Sequence, residues 1–270
     1  MKLNQNIIRR SPFKIRLATS AEEIHVAQKL RYLVFHQEMG AKLSVENRLA
    51  QIEGDSFDTI CDHLLVISES DEVHTELSVA DGSVIGTYRL LRQSVADQHQ
   101  GFYSQAEFDV ASLLARKPSF QFLELGRSCV LKDYRGLAVV ELLWQGIWNY
   151  VRQHRLDVMI GCASFDGVEV EFHRQTLQYL LNKSMAPDDW QVQAQKARRL
   201  DLGMDSDAPM DMKQILSDLP ALIKGYMRLG CYFAQDAVID DVFNTIDVLV
   251  ILPVSRINPR YFARFGEPTN

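Results

Sequence analysis

Three charged residues sit inside runs that otherwise read as buried strand: Arg89 in VIGTYRLLR, and Glu124 and Arg127 in FLELGRSCVL. An ionised side chain in such company is costly unless it is paired. Glu124 and Arg127 are three apart, so a strand would point them to opposite faces and they do not make a simple mutual pair. Two readings stay open: an Arg89–Glu124 ion pair across neighbouring strands, or groups held ready for catalysis. A second cluster is EGDSFDTICD, which puts Glu53, Asp55, Asp58 and Asp62 within ten residues. Such a cluster recognises a cation or raises one carboxyl for base chemistry, while a solvated acidic loop with helix caps is the bland alternative. The Asp ladder and glycine of a calcium loop are absent, and no metal site is expected.

The third segment is LELGRSCVLKDYRGLAVVELLW, residues 123–144, a strand that turns at Arg135, Gly136 and Leu137 directly into a helix. That geometry aims backbone N–H groups and the positive helix end at the turn, which suits a pyrophosphate or a phosphopantetheine arm. Gly136 would permit a backbone conformation that other residues resist.

Alternating strands and helices position these groups. KIRLA at 14–18 reads as a first strand, followed by a helix over 21–39 with apolar positions at Ile24, Ala27, Leu30, Val34 and Phe35. Ser20 and Glu23 form the pattern of a capping box. HLLVISE and VIGTYRLLR are strands on either side of an Asp81-Gly82 turn signal. GFYSQAEFDVASLLA is a loop with a short helix, and FLELGRSCVL a strand. LAVVELLWQGIWNYVRQHR is a long helix with a core stripe at Val140, Leu143, Ile147, Trp148 and Val151. DVMIGCASF (strand) and VEVEFHRQTLQYLLN (helix) follow. Residues 184–219 read as a helical or irregular insertion, and ALIKGYMRLG and NTIDVLVILPV as strand-like. The fold class is α/β, with a mixed twisted sheet flanked by helices. One domain is expected over 14–265, preceded by an arm at 1–13.

The chain has 270 residues, 47% of them hydrophobic, with 29 basic against 35 acidic side chains and a net charge of -6. That balance argues against nucleic-acid binding, which needs positive potential. Cys61, Cys129, Cys162 and Cys231 are widely spaced in apolar contexts and read as reduced, buried thiols of a cytosolic protein. The N-terminus lacks the apolar stretch of a signal peptide, and no run approaches the roughly 20 apolar residues that span a bilayer. A cytoplasmic location is expected, with any contact at the inner membrane peripheral. Arg9, Arg10, Lys14 and Arg16 among Ile7, Ile8, Phe13 and Ile15 could supply it, although a solvated arm is favoured.

Taken together, LRYLVFHQEMGAKL, DSFDTICDHLLV, VIGTYRLLR, GFYSQAEFD, ELGRSCVLKDYR, LLWQGIWNYV, IGCASFDG and the tail from Leu219 to Tyr261 resemble the ornithine N-acyltransferases of ornithine-lipid synthesis. The likeness covers about residues 15–265. More distant kin are the acyl-homoserine-lactone synthases, and both groups have the GNAT-like acyltransferase fold. The lactone synthases' charged skeleton maps onto Arg31 with Phe35, onto Glu53, Asp55 and Asp58, onto Arg89, and onto Glu124 with Arg127. Their Trp after Val-Phe is absent from HQEMGAKL, which favours the ornithine branch.

The resemblance implies transfer of a 3-hydroxy fatty acyl group from acyl carrier protein to the α-amine of L-ornithine, with no cofactor beyond the carrier's phosphopantetheine thioester. An ammonium cannot attack a thioester, so a base must take its proton. Glu124, Asp55, Asp58 and Glu53 are the catalytic candidates. Arg31, Phe35, Arg89, Arg127, Lys224 and Asp247 are assigned to substrate binding. Ser128, Cys129, Val130, Arg135 and Gly136 are assigned to the phosphopantetheine arm and the oxyanion. Direct attack is expected, since Cys129 has no His nearby in sequence. The acyl chain needs an apolar slot near Trp144 and Trp148. An acidic carrier protein would dock on Lys132, Arg135, Arg152 and Arg155. The competing functions are a lactone-type signal synthase using S-adenosylmethionine and a non-catalytic module that binds acyl carrier protein.

Overall fold

The computed structural model describes residues 7–70, 75–202 and 211–258. Strands β1 (Ile8–Arg10), β2 (Phe13–Leu17), β3 (Asp62–Ser68), β4 (Ser78–Val79), β5 (Gly82–Arg92), β6 (Phe122–Val130), β7 (Val158–Asp166), β8 (Tyr232–Asp240) and β9 (Thr245–Pro253) form one nine-stranded sheet. Its order is β1-β2-β3-β5-β6-β7-β9-β8, with β4 paired to β5. Helices α1 (Ala21–Arg31), α2 (Val45–Ala50), α3 (Gln93–Ala96), α4 (Val110–Arg116), α5 (Leu137–His154), α6 (Val170–Ser184), α7 (Met212–Asp218) and α8 (Ala221–Leu229) complete the fold.

The break in the middle of the sheet matters most. β6 and β7 are parallel and pair only over Phe122–Glu124 against Val158–Ile160. Beyond that point β6 stays with β5 as far as Val130, and β7 stays with β9 as far as Asp166. The strands therefore open into a wedge. Gly161 stands at its apex, where a Cβ would lie 2.3 Å from the Leu125 carbonyl oxygen, so only glycine lets the two strands meet before they part. α5 closes one face of the sheet, and its Gly146 lies so near Ile15 and Leu64 that a Cβ would come within 2.6 Å of Ile15.

The expected strand–helix alternation is present, with several local differences. Ser20 caps α1 by accepting from Glu23 N, but the Glu23 carboxylate accepts from Thr19 rather than from Ser20 and pairs with Arg16. α1 gives way at Tyr32 to π-helical turns through Glu38. ALIKGYMRLG, expected as strand, is helix α8. Pro220 precedes it and Gly230 ends it at φ +93°, while Ile223 and Tyr226 bury one helical face. β8 escaped notice because a bulge between Phe233 and Ala237 and the buried Asp236, paired with Arg199, break its alternation. Ile8–Arg10, expected in a solvated arm, form an edge strand on β2. Lys14 and Arg16 are buried in ion pairs with Glu69, Asp81 and Glu23, so they offer no membrane-facing charge. Among the described residues, no helix is long and apolar enough to cross a membrane. The insertion at 184–219 is anchored by bridges to Phe108, Phe233 and Val238 and by α7; its residues 203–210 lie outside the described residues.

Candidate active site

A cavity of about 870 Å³ fills the wedge. Its lining from β7 comes from both faces of the sheet, Met159 and Ala163 from one and Cys162, Ser164 and Asp166 from the other. The cavity thus passes through the sheet. One side is apolar, with Val140, Trp144, Ile147 and Trp148 of α5 and Leu222 of α8. Val140, Ile147 and Trp148, expected in a core stripe, thus border the cavity. The other side is polar, with Arg89, Tyr103, Ser104, Glu124, Arg127, Asp240 and Asp247.

The ladder between β5 and β6 slips where the two sides meet. Thr87 faces Cys129 but Arg89 faces Gly126, so β6 carries one extra residue. Arg127 sits in this bulge at φ +51°, a left-handed conformation that costs energy for a non-glycine residue. Partners on every side hold it there. Its Nε donates to Glu53 Oε1 at 3.0 Å and its Nη2 to Asp55 Oδ2 at 3.2 Å. The rings of Tyr103 and Phe243 cover its guanidinium at 4.5 and 4.6 Å.

The acidic loop is drawn into the same frame. Asp58 accepts from Arg31 Nη1 at 2.8 Å and Nη2 at 2.6 Å, from Gln28 at 2.9 Å and from Arg89 at 3.2 Å. Arg31 is fully buried and also holds the Glu53 carboxylate at 2.6 Å. Arg89 reaches Asp55 at 2.6 Å. Asp55 and Asp58 also form a reciprocal capping box on the short turn Ser56–Thr59. Burial alone would raise the Asp58 carboxyl, but Arg31, with Arg89 and Gln28, holds it well below the usual carboxylate range. Arg31, Arg89 and Arg127 thus pair with Glu53, Asp55 and Asp58, three guanidiniums against three carboxylates. Among the described residues that line the cavity, Arg89 and Arg127 are present and the three carboxylates are not.

Glu124 stands apart from that frame. The expected partner Arg89 turns to Asp55 and Asp58 instead, and Glu124 accepts from Tyr103 N at 2.8 Å, Ser104 N at 2.9 Å and Ser104 Oγ at 2.5 Å. Burial pushes its carboxyl above the ordinary value, against the pull of those donors. It borders the cavity. Cys129 borders it too, with its thiol pushed up to about 12 by burial, which leaves almost no thiolate at neutral pH.

Phe35, Ser128, Val130, Arg135 and Asp247 also line the cavity. Arg135 gives both Nη atoms to Glu38, at 2.6 and 2.7 Å. Gly136 is the N-cap of α5 at φ -74°, an ordinary conformation, and a Cβ there would meet nothing within 4 Å. No backbone demand explains the glycine; it leaves open space at the helix start. Lys224 donates to the Ser217 carbonyl oxygen and does not reach the lining. Arg152 and Arg155 lie at the far end of α5 from Arg135, about 25 Å away at 1.5 Å per residue, so they do not flank the turn. Asp240 and Glu107 went unremarked in the sequence. Both are buried acids: Glu107 meets Cys162 and Arg198 far along the chain, while Asp240 accepts from Val242 N and Phe243 N in the turn that follows it.

A profile described as an acetyltransferase (GNAT) domain matches residues 30–145. The chain is similar to the L-ornithine N(alpha)-acyltransferase of Agrobacterium fabrum, 47% identical over 93% of this chain and 84% of that protein. It is also similar to the L-ornithine N(alpha)-acyltransferase of Brucella abortus, 44% identical over 95% and 90% respectively. Among solved structures it resembles an N-acyl amino acid synthase from uncultured soil microbes, with a TM-score of 0.52 at 11% identity, covering 93% of this chain and 97% of that one. That likeness concerns the fold.

Proposed function

The chain belongs to the L-ornithine N(alpha)-acyltransferase family, and we propose that its acyl donor is a 3-hydroxyacyl carrier protein whose thioester is attacked directly by the α-amine of ornithine. The product would be an acyl-ornithine, or lyso-ornithine lipid. One observation carries this reading: the cavity runs through the sheet from an apolar half to a polar half, with the β6 bulge between them. A fatty chain fits the first half and an amino acid the second, so amine and carbonyl meet at the bulge.

Each residue then has a task. Trp144, Trp148, Ile147 and Val140 bury the acyl chain. A bulge leaves its extra residue out of the ladder, and the backbone of Arg127 to Val130 turns toward the thioester oxygen as the charge-stabilising element. Glu124 receives the ammonium proton, and its raised affinity for protons suits that role at neutral pH. Glu53, Asp55 and Asp58 act through Arg89 and Arg127, which they hold in place. Arg135 and Lys132 receive the carrier protein. Two parallel donors on one carboxylate is also the geometry in which a guanidinium grips a phosphate, so the arm's phosphate would displace Glu38. Any membrane contact would be peripheral and confined to the exposed apolar rim of the cavity at Met39, Leu137 and Leu222.

The test is to incubate purified protein with 3-hydroxyacyl carrier protein and a panel of amino acids, then identify products by mass spectrometry. Acyl-ornithine formed only with the carrier-bound donor supports the reading. Equal use of acyl-coenzyme A, or an acyl-homoserine lactone when S-adenosylmethionine is supplied, refutes it.

A further inference from the structure

The polar end of the cavity holds more negative charge than the ion frame beside it accounts for. Asp240 closes β8 and faces Thr245 on β9, and Asp247 lies two residues farther along β9, opposite Ser164 of β7. Directly opposed and alternate strand residues share a face, so Asp240, Thr245, Asp247 and Ser164 form one polar surface, and all four line the cavity. Asp240 and Asp247 are each 6% exposed. Asp247 accepts from the Thr245 hydroxyl at 2.8 Å, and Asp240 from Val242 N and Phe243 N at 2.8 and 3.1 Å. Among the described residues, no lysine or arginine pairs with either.

A third acid stands behind them. Glu107 Oε2 accepts from the Cys162 thiol at 3.4 Å, and one ligand atom each from Glu107, Cys162 and Asp247 lie within 4.8 Å of one another. Arg198 reaches Glu107 at 3.4 Å, but its side chain is 47% exposed and turned to that outer carboxylate. Burying three carboxylates with so little compensating charge is unfavourable. Burial, then Asp247 and Asp240, push Glu107 up to about 7, and burial raises Asp247 as well. Elsewhere around the cavity, Arg89 and Arg127 meet carboxylates in kind. Here, among the described residues, no Lys or Arg forms an ion pair with Asp240 or Asp247, Arg127 acting on Asp247 only at longer range, and the space beside the acids is open.

We infer that Asp240 and Asp247 form the subsite for the side-chain ammonium of the acceptor, which makes a diamino acid the acceptor class. The inference rests on the proposed acylation of ornithine and deepens it. Ornithine's terminal ammonium fills the unpaired position, with Thr245 and Ser164 as further polar neighbours. That anchoring turns the α-amine, and not the side-chain amine, toward the bulge. Selection of one amine over the other becomes a matter of position. An acceptor with the same carbon chain but no terminal ammonium would leave both aspartates buried without a partner, and such a site rejects it strongly.

The test compares ornithine with norvaline, its uncharged analogue, using 3-hydroxyacyl carrier protein as donor. The wild type should favour ornithine by about 100-fold or more in kcat/KM, and Asp247→Asn should reduce that preference by about 30-fold or more through KM for ornithine. KM for the donor should not change. Thermal melts establish that the variant is folded. If Asp247→Asn does not fold, Asp240→Asn carries the same comparison, and the wild-type ratio stands alone. A wild type that acylates norvaline as well as ornithine overturns this inference but leaves the acylation reading intact; a wild type that acylates neither overturns both. Unchanged discrimination in the folded variant also overturns it. So does loss of ornithine turnover on adding EDTA, restored by zinc, which would place a metal at these carboxylates.

Discussion

Asp58→Asn tests whether the ion frame holds the site together. The carboxylate is 2% exposed and accepts from Arg31 twice, Arg89, Gln28 and the Asp55 amide. An amide of the same shape keeps the volume but cannot accept from all of these donors. It also leaves three buried guanidiniums facing two carboxylates. Breaking a buried pair by removing one partner costs about 3–5 kcal/mol. In a chain of this size each kcal/mol lowers the melting temperature by about 2–4 °C, so a fall of roughly 10 °C is expected. The contribution has a defined pH range. Because the folded-state carboxyl titrates below its unfolded value, its stabilisation is complete above about pH 4 and is lost as pH falls toward the folded value. Melts at pH 7 and pH 3 provide the assay, with the gap between wild type and variant narrowing, but not closing, at the lower pH. Asp55→Asn, at a side chain 25% exposed, should cost less. An Asp58→Asn melt at pH 7 within 2 °C of wild type, a bound roughly equal to one kcal/mol, would refute the frame.

Glu124→Gln should lower kcat by about 100-fold or more and flatten the acidic limb of the pH–rate profile, with a melt close to wild type. A large fall in melting temperature would instead make Glu124 an anchor for the Tyr103–Ala106 turn. Charge reversal at Lys132 and Arg135 together should raise KM for the carrier protein about 10-fold or more, and less so at high salt; an unchanged KM would move the docking surface elsewhere. Cys129→Ala should keep turnover within a few-fold, since the raised thiol offers no nucleophile, and abolished turnover in a folded variant would point to covalent catalysis.

Much of this site was legible in the sequence because charge in an apolar run is conspicuous. Arg89, Glu124 and Arg127 were visible as misfits in their strands, and their companions Glu53, Asp55 and Asp58 as an acidic cluster. What each one touches was not legible. The natural guess, Arg89 with Glu124, has the two on one face, but Asp55 and Asp58 take the guanidinium and the Tyr103 and Ser104 amides take the carboxylate, partners distant in the chain. Alternation likewise gave no sign that β6 and β7 part after Glu124, since a wedge depends on pairing and not on composition. Helix α8 reads as strand-like because the ten residues of ALIKGYMRLG, apolar at both spacings, fit strand and helix alike, and tertiary packing decides such cases. Glu107 lies two residues before Asp109 and Asp240 lies beside Asp241, where each reads as a turn acid, and only folding buries both near Asp247.

In the proposed reaction, amine and thioester react directly within one cavity. Initial rates measured while ornithine and acyl carrier protein are varied together, with intact-protein mass spectra of quenched reactions, test it most closely. Direct attack predicts intersecting double-reciprocal lines and an unmodified protein mass. Parallel lines with a protein heavier by one acyl group would contradict it.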